Sequence, residues 1–216
     1  LTLKDWKSPY DASVIKKNNI YHMLYRGVSD AREWQSNYIR VSSIGHATSK
    51  DGLNFDKRAQ FIKPDYDWER FGCEDPRIVF IDNTYVIFYT AVSTNPPHPE
   101  GIRVGVALTD DFSTITQKHL VTPFNAKAMT LFPEKINGKY VAILTVDTDI
   151  PPAKIAIAQF NKISDLWDHS FWEKWKEDVA NFTIPLQRRS QDQVEVGLSP
   201  IKTEKGWVFV YSYIQN

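Results

Sequence analysis

Four stretches of the chain share one pattern of polar and apolar positions. They are residues 18–25, 82–89, 137–144 and 204–211. Each has a polar turn of the Asn/Asp/Gly kind, then an aromatic residue, then a run of β-forming residues. The aromatics are Tyr21, Tyr85, Tyr140 and Trp207. Each turn follows another short apolar run, at residues 12–15, 77–81, 131–136 and 198–201. Two β-runs joined by a short polar loop predict a hairpin. A third run follows the first three hairpins, at residues 43–48, 103–108 and 154–159, and each leads into a polar turn and an aromatic. The pattern therefore predicts a repeated unit of four antiparallel strands.

The runs are apolar on both alternating faces: Tyr21, Met23 and Tyr25 fall on one, Leu24 on the other. A sandwich would place polar residues on its outward face. Sheets covered on both sides lack that alternation, and radially stacked propeller blades are such sheets. The fold expected is all-β, a β-propeller. The units fall at about 9–61, 72–122 and 127–175, with a partial fourth at about 194–216. The helical signal is confined to residues 170–180, where Phe171, Trp172 and Trp175 share a face. Their packing between units is expected rather than anchoring at a membrane surface. The chain stops just past the second strand of the fourth unit. The expectation is a propeller truncated there, completed by a missing C-terminal segment or by a second copy in a homo-oligomer, because an unclosed ring leaves an edge strand unpaired.

Composition removes several function classes. With 42% apolar residues, 7 Trp, 10 Tyr and 12 Phe in 216, the chain can build a real core. Its 26 basic and 26 acidic side chains balance to +0, which argues against a nucleic-acid partner, whose phosphates need clustered Lys and Arg. No apolar run reaches the roughly 20 residues of a membrane-spanning helix. Cys73 is the single cysteine, so no internal disulfide and no cysteine-based zinc site exist, and no other metal-ligand spacing is seen. Neutral charge and one free thiol fit a reducing cytoplasm; nothing else bears on the compartment.

In a propeller, residues entering the first strand of each blade converge on a central funnel. Asp11 and Asp75 stand at the same offset before Tyr21 and Tyr85. Thr130 has that offset in the third unit, with Lys127 upstream, and Gly197 has it in the fourth, with Glu195 just before. Carboxylates facing one polar pocket suit general acid–base chemistry, because environment splits their pKa values. The sharpest feature is Gly72-Cys73-Glu74-Asp75-Pro76-Arg77. Pro76 biases Asp75 towards extended backbone, which would put Arg77 and Asp75 on one face of a strand. Taken alone, its first reading is an Asp-Pro turn with a structural ion pair, and a site comes second.

Gly72-Cys73-Glu74-Asp75-Pro76-Arg77-Ile78 also resembles the Glu-Asp-Pro-Arg signature of glycoside hydrolase family 130, the β-mannoside phosphorylases and β-mannosidases. Four further stretches are similar to family elements in the same order. Residues 21–26 look like its first-blade strand ending in Tyr-Arg. Residues 44–55 resemble its Gly-x-Ala-x-Ser-x-Asp-Gly-x-x-Phe element. Residues 131–140 carry Phe-Pro-Glu-Lys, and residues 199–207 resemble its Pro-Pro-Ile-x-Thr-x-x-Gly-Trp element. The resemblance spans nearly the whole chain.

It implies a five-bladed propeller, an inverting reaction on a β-mannoside oligosaccharide, no cofactor, and Asp75 as general acid. In the family's phosphorylases this acid acts through a sugar hydroxyl, with inorganic phosphate as co-substrate. In its hydrolases a second carboxylate activates water; here Glu195 is the candidate base, ahead of Glu134. Asp11, Arg26, Glu74, Arg77, Lys127 and Arg188 are the candidate substrate-binding residues. The family's phosphate-binding His-Arg pair is replaced in residues 142–147, its Lys-Asp is Lys127-Ala128, and its Ser-Arg is Ser42-Ser43. These departures point to hydrolysis. Phosphorolysis stays open through Arg188 and Arg189, as does a catalytically impaired, sugar-binding propeller. A propeller of another hydrolase group, such as the arabinanases, fits the ordered motifs least. His46 is expected to be a packed structural residue. His98, in a proline-rich loop, is expected to border the substrate groove, and Tyr10, Tyr66 and Trp68 either stack on sugar rings or pack at the rim.

Overall fold

The computed structural model describes residues 10–29, 32–35, 37–189 and 191–215. The first sheet begins with β1 (Tyr10–Lys17) and β2 (Ile20–Val28). A small ribbon of β3 (Arg32–Trp34) and β4 (Asn37–Ile39) follows, then β5 (Ser42–Ser49) and β6 (Asp56–Ile62), giving a spatial order β1-β2-β5-β6. The second sheet is β7 (Gly72–Ile81), β8 (Thr84–Val92), β9 (Ile102–Thr109) and β10 (Gln117–Leu120), antiparallel throughout. A parallel bridge from Ser42 to Gly72 joins the two sheets at one end. The third is β11 (Ala126–Leu131), β12 (Tyr140–Val146) and β13 (Lys154–Phe160). No fourth strand forms at the aromatic after β13. Instead Thr183 bridges Ala156 and the Ile184 amide donates to the Ile155 carbonyl at 2.8 Å, after an excursion through α1 (His169–Glu177) and α2 (Val179–Phe182).

Local chemistry accounts for the hairpins. Asn18-Asn19, Asp82-Asn83 and Asn137-Gly138 all have left-handed backbone, with φ of 49° and 61°, 49° and 63°, and 52° and 77°. That is the requirement of the primed two-residue turn, which Asn, Asp and Gly meet most readily. In residues 49–55, the Asp51 carboxylate accepts from the Leu53 and Asn54 amides at 2.8 Å each, so this motif builds a turn. Asp168 caps α1 through the Ser170 amide. The expected helix over 170–180 is thus two pieces, and Trp172 and Trp175 are buried in the core rather than facing a membrane.

Burial confirms why the strands lack polar alternation. In β8, Tyr85, Ile87, Tyr89 and Ala91 pack towards the first sheet with Leu24, Ile44 and Ile62, while Val86 and Phe88 pack towards the third. In β12, Ala142 and Leu144 face the second sheet and Ile143 faces Val194 and Val196. Each middle sheet is therefore buried on both faces. The expected fourth hairpin divides: β14 (Gln193–Val196) pairs with β17 (Tyr211–Ile214), and β15 (Ile201–Thr203) with β16 (Gly206–Val208) forms a largely exposed ribbon.

Candidate active site

The inner strands β1, β7 and β11 each carry a one-residue bulge. Register shifts lie between Tyr10 and Ser13, Glu74 and Arg77, and Lys127 and Thr130. The first bulge residue is left-handed in each: Asp11 at φ 45°, Asp75 at 50° and Ala128 at 54°. Bulges re-aim a side chain, and glycine usually fills this position. Two corrections follow. Asp75 is not extended, despite Pro76, and Arg77 reaches it by donating from Nη1 to its backbone carbonyl at 3.1 Å. The third-unit counterpart of Asp75 is Ala128, not Thr130. Pro133 cannot donate to the ladder, and the residues around it lengthen the path from bulge to turn.

The bulges bring side chains from several sheets together. Arg26, near the end of β2, donates from Nη2 to Glu74 Oε1 at 2.7 Å, from Nη1 to Asp75 Oδ1 at 3.4 Å, and from Nε to Ser42 Oγ at 3.1 Å. Ser42 donates to Glu74 Oε1 at 2.7 Å. Arg77 crosses to the fourth unit, donating to the Val196 and Gly197 carbonyls at 2.7 and 3.0 Å and lying 3.5 Å from Glu195 Oε1. Lys127 Nζ holds Glu195 Oε2 at 2.8 Å. Asp11, exposed, stands near enough to the Asp75 carboxyl to raise it. Asp11, Arg26, Glu74, Asp75, Arg77, Lys127 and Glu195 thus form one connected group.

A cavity of about 140 Å³ opens beside Asp75, lined also by Glu74, Thr90, Lys127 and Asp149. Pro97, His98 and Pro99, from the proline-rich loop, also line it. Burial pushes the Asp75 carboxyl up to about 6; Arg26 opposes the rise, while Glu74 and Asp11 add to it. Burial pulls the Arg77 guanidinium down from its ordinary value against the neighbouring carboxylates. Burial works to lower Lys127 as well, but Glu195 outweighs it and the ammonium is raised. A carboxyl that still holds its proton near pH 6, next to carboxylates held by cations, can act as a general acid.

Other candidates lie elsewhere. Arg188 spends its guanidinium on the backbone carbonyls of Ala153 and Asp192, so it braces a loop and is not in the group around Asp75. Arg189 pairs with Asp192. Glu134 pairs with Lys202, not with its neighbours Lys135 or Lys139. His46 stacks on Phe112 at 4.6 Å; burial and the nearby His22 lower it to about 4, as befits a packed residue. Tyr66 and Trp68 stack on each other at 5.4 Å. The side chain of Tyr10 lies outside the described residues.

One buried network had no signal in the sequence. Glu69 is fully buried; it accepts from Tyr89 Oη at 2.7 Å and pairs with Lys118 Nζ at 2.6 Å, and Cys73 Sγ donates to it at 3.4 Å. It also accepts from the Asp65 amide at 2.9 Å, fixing the segment that leads into β7. Removing one partner of such a pair costs about 3–5 kcal/mol. Thr90, Asp149 and Ser42 were likewise not singled out, because each reaches the site only through strand pairing or loop closure.

Sheets buried on both faces, with carboxylates and cations gathered at the inner strands, make a candidate acid–base site of a propeller-like all-β protein. Comparison sharpens this. The chain belongs to glycoside hydrolase family 130: the family model described as beta-1,4-mannooligosaccharide phosphorylase matches residues 4–215. A beta-1,2-mannobiose phosphorylase of Thermoanaerobacter sp. (strain X514) is 30% identical over 96% of this chain and 65% of its own length. A 1,2-beta-oligomannan phosphorylase of the same strain is 31% identical over 94% of the chain and 63% of its own. The chain thus spans somewhat less than two thirds of these relatives. Among solved structures, beta-1,2-mannobiose phosphorylase from Listeria innocua, in complex with beta-1,2-mannobiose, has a TM-score of 0.69 at 23% identity, covering 94% of this chain and 67% of that one. A structure from work on family 130 hydrolases that target beta-1,2 mannosidic linkages in Candida mannan has a TM-score of 0.64 at 21% identity, covering 95% and 61%. The curated relatives are phosphorylases, so the expected preference for hydrolysis finds no support in them.

Proposed function

We propose that this chain forms the acid-bearing part of an inverting β-mannoside phosphorylase, its sheets serving as blades of a five-bladed ring. The observation that carries the reading is Asp75: a bulge-aimed carboxyl, raised to about 6 by burial, opening into a cavity in a chain whose curated relatives are mannoside phosphorylases. In the reaction, a phosphate oxygen forms a bond to the anomeric carbon as the glycosidic C–O bond breaks on the opposite face. The Asp75 proton ends on the departing sugar oxygen, either directly or through a sugar hydroxyl. Inversion makes the product α-mannose 1-phosphate. Arg26 pairs with Glu74 beside the acid and brings positive charge to the site. Glu195 holds Arg77 and Lys127 in place.

Hydrolysis is the second reading, favoured by one set of observations. Residues 142–147 offer no His or Arg, and Asp147 there ties up Lys154 and Lys176. Ser43, at the family's Arg position, accepts from Gln60. In that reading Glu195 activates water, which needs a carboxyl separation of roughly 6.5–9.5 Å. Incubation with β-1,2-mannobiose and with a β-1,4-mannooligosaccharide, with and without inorganic phosphate, separates the two. The expected result is turnover only with phosphate, abolished in Asp75→Asn. Equal release of free mannose without phosphate would replace phosphorolysis by hydrolysis.

A further inference from the structure

Thr90 sits opposite Glu74 in the β7–β8 ladder. It lines the cavity beside Asp75 together with Glu74, Pro97, His98 and Pro99. The residue is 3% exposed, yet its Oγ1 has no hydrogen-bond partner among the described residues. Buried hydroxyls are nearly always bonded, because an unbonded one forfeits the hydrogen bonds it made in water. Two other buried threonines, in or just past the second sheet, obey that rule: Thr109 Oγ1 donates to the Thr114 carbonyl at 2.6 Å, and Thr122 Oγ1 accepts from the Val104 amide at 3.0 Å. Thr90 differs in lying on a cavity wall.

The lining says what would complete it. Glu74 is already held by Arg26, and Lys127 by Glu195. Asp149 accepts from Asn125 at 3.1 Å and stands on the same cavity. A phosphate dianion at Thr90 would face Asp75 and Asp149 with the neighbouring lysine already committed. A neutral sugar meets no such repulsion. Its hydroxyls can use the Thr90 donor and its two acceptor lone pairs, while Pro97, Pro99 and Ile102 offer apolar surface to its C–H face.

We propose that Thr90 is a substrate-binding residue whose hydroxyl hydrogen-bonds a sugar hydroxyl of the mannoside held beside Asp75. The proposal rests on the β-mannoside reading above. Thr90→Val keeps the shape and replaces the hydroxyl with a methyl. With β-1,2-mannobiose and inorganic phosphate, kcat/KM is expected to fall by about tenfold or more, since a site built to bond a hydroxyl discriminates sharply once the bond is lost. Thr90→Ser keeps the hydroxyl and should restore most of the activity. Without sugar, the Tm of Thr90→Val should equal or exceed that of the wild type, because no protein partner is lost, and the rise in Tm caused by mannobiose should shrink. Wild-type kcat/KM in Thr90→Val would overturn the assignment alone. So would a fall in sugar-free Tm with the same activity loss in Thr90→Ser, which marks a structural residue. A wild-type protein that neither turns over nor is stabilised by mannobiose or a β-1,4-mannooligosaccharide would overturn the β-mannoside reading, and this proposal with it.

Discussion

Asp75 owes its chemistry to three neighbours with opposed effects, and each can be removed singly. Burial raises the carboxyl, Arg26 holds it down, and Glu74 and Asp11 push it further up. An acid that must be protonated loses activity as pH rises through its pKa, so kcat/KM should show an alkaline limb near 6. The limb belongs to the coupled carboxyl group rather than to one residue alone. Asp11→Asn removes a raising influence and should move the limb to lower pH; a pH–rate profile unchanged by this variant would refute the coupling. Stability has its own sign. The folded pKa lies above the ordinary 3.8, so the folded state keeps a proton that the unfolded state has released. Stability is therefore lost between roughly pH 4 and 6 and stays lower above that window.

At the scale of the element, turns were legible in the sequence and bulges were not. Asn-Asn, Asp-Asn and Asn-Gly announce left-handed turns by residue type, and the three hairpins formed where those pairs stand. A bulge leaves no such mark when Asp or Ala occupies its left-handed position. Counting without it places Ala91 opposite Glu74, whereas the bulge brings Thr90 there. Thr130 was set where Ala128 belongs for a different reason, the longer path around Pro133 from bulge to turn. Glu69 was missed for a related reason: its partner Lys118 lies far along the chain, and only the packed second sheet brings them together. Two glycines test the turn account. Gly138 has φ +77° and open space around an added Cβ, so Gly138→Ala should cost about 1–2 kcal/mol from backbone conformation alone. Gly52 has φ +78°, and its Cβ would meet the Tyr21 ring at 3.2 Å, so Gly52→Ala should lose more. Equal melting temperatures for these two variants would contradict the packing of Tyr21 over that turn.

Across the whole molecule, the site depends on sheets far apart in sequence. Arg26 from the first sheet, Asp75 and Arg77 from the second, Lys127 from the third and Glu195 from the fourth unit meet because inner strands converge. The repeat pattern made that convergence readable, and the Glu-Asp-Pro-Arg resemblance pointed to Asp75 as the acid proposed for it. The reaction type was not readable by the same route. Lost family cations suggested water as the attacking group, whereas the curated relatives are phosphorylases. The reaction proposed above is phosphorolysis with inversion, with Asp75 as its acid. Phosphorus NMR of the protein with β-1,2-mannobiose and inorganic phosphate tests it most directly. An α-mannose 1-phosphate signal should grow in the wild type and not in Asp75→Asn. Free mannose appearing with the phosphate signal unchanged, or an Asp75→Asn protein as fast as the wild type, would contradict it.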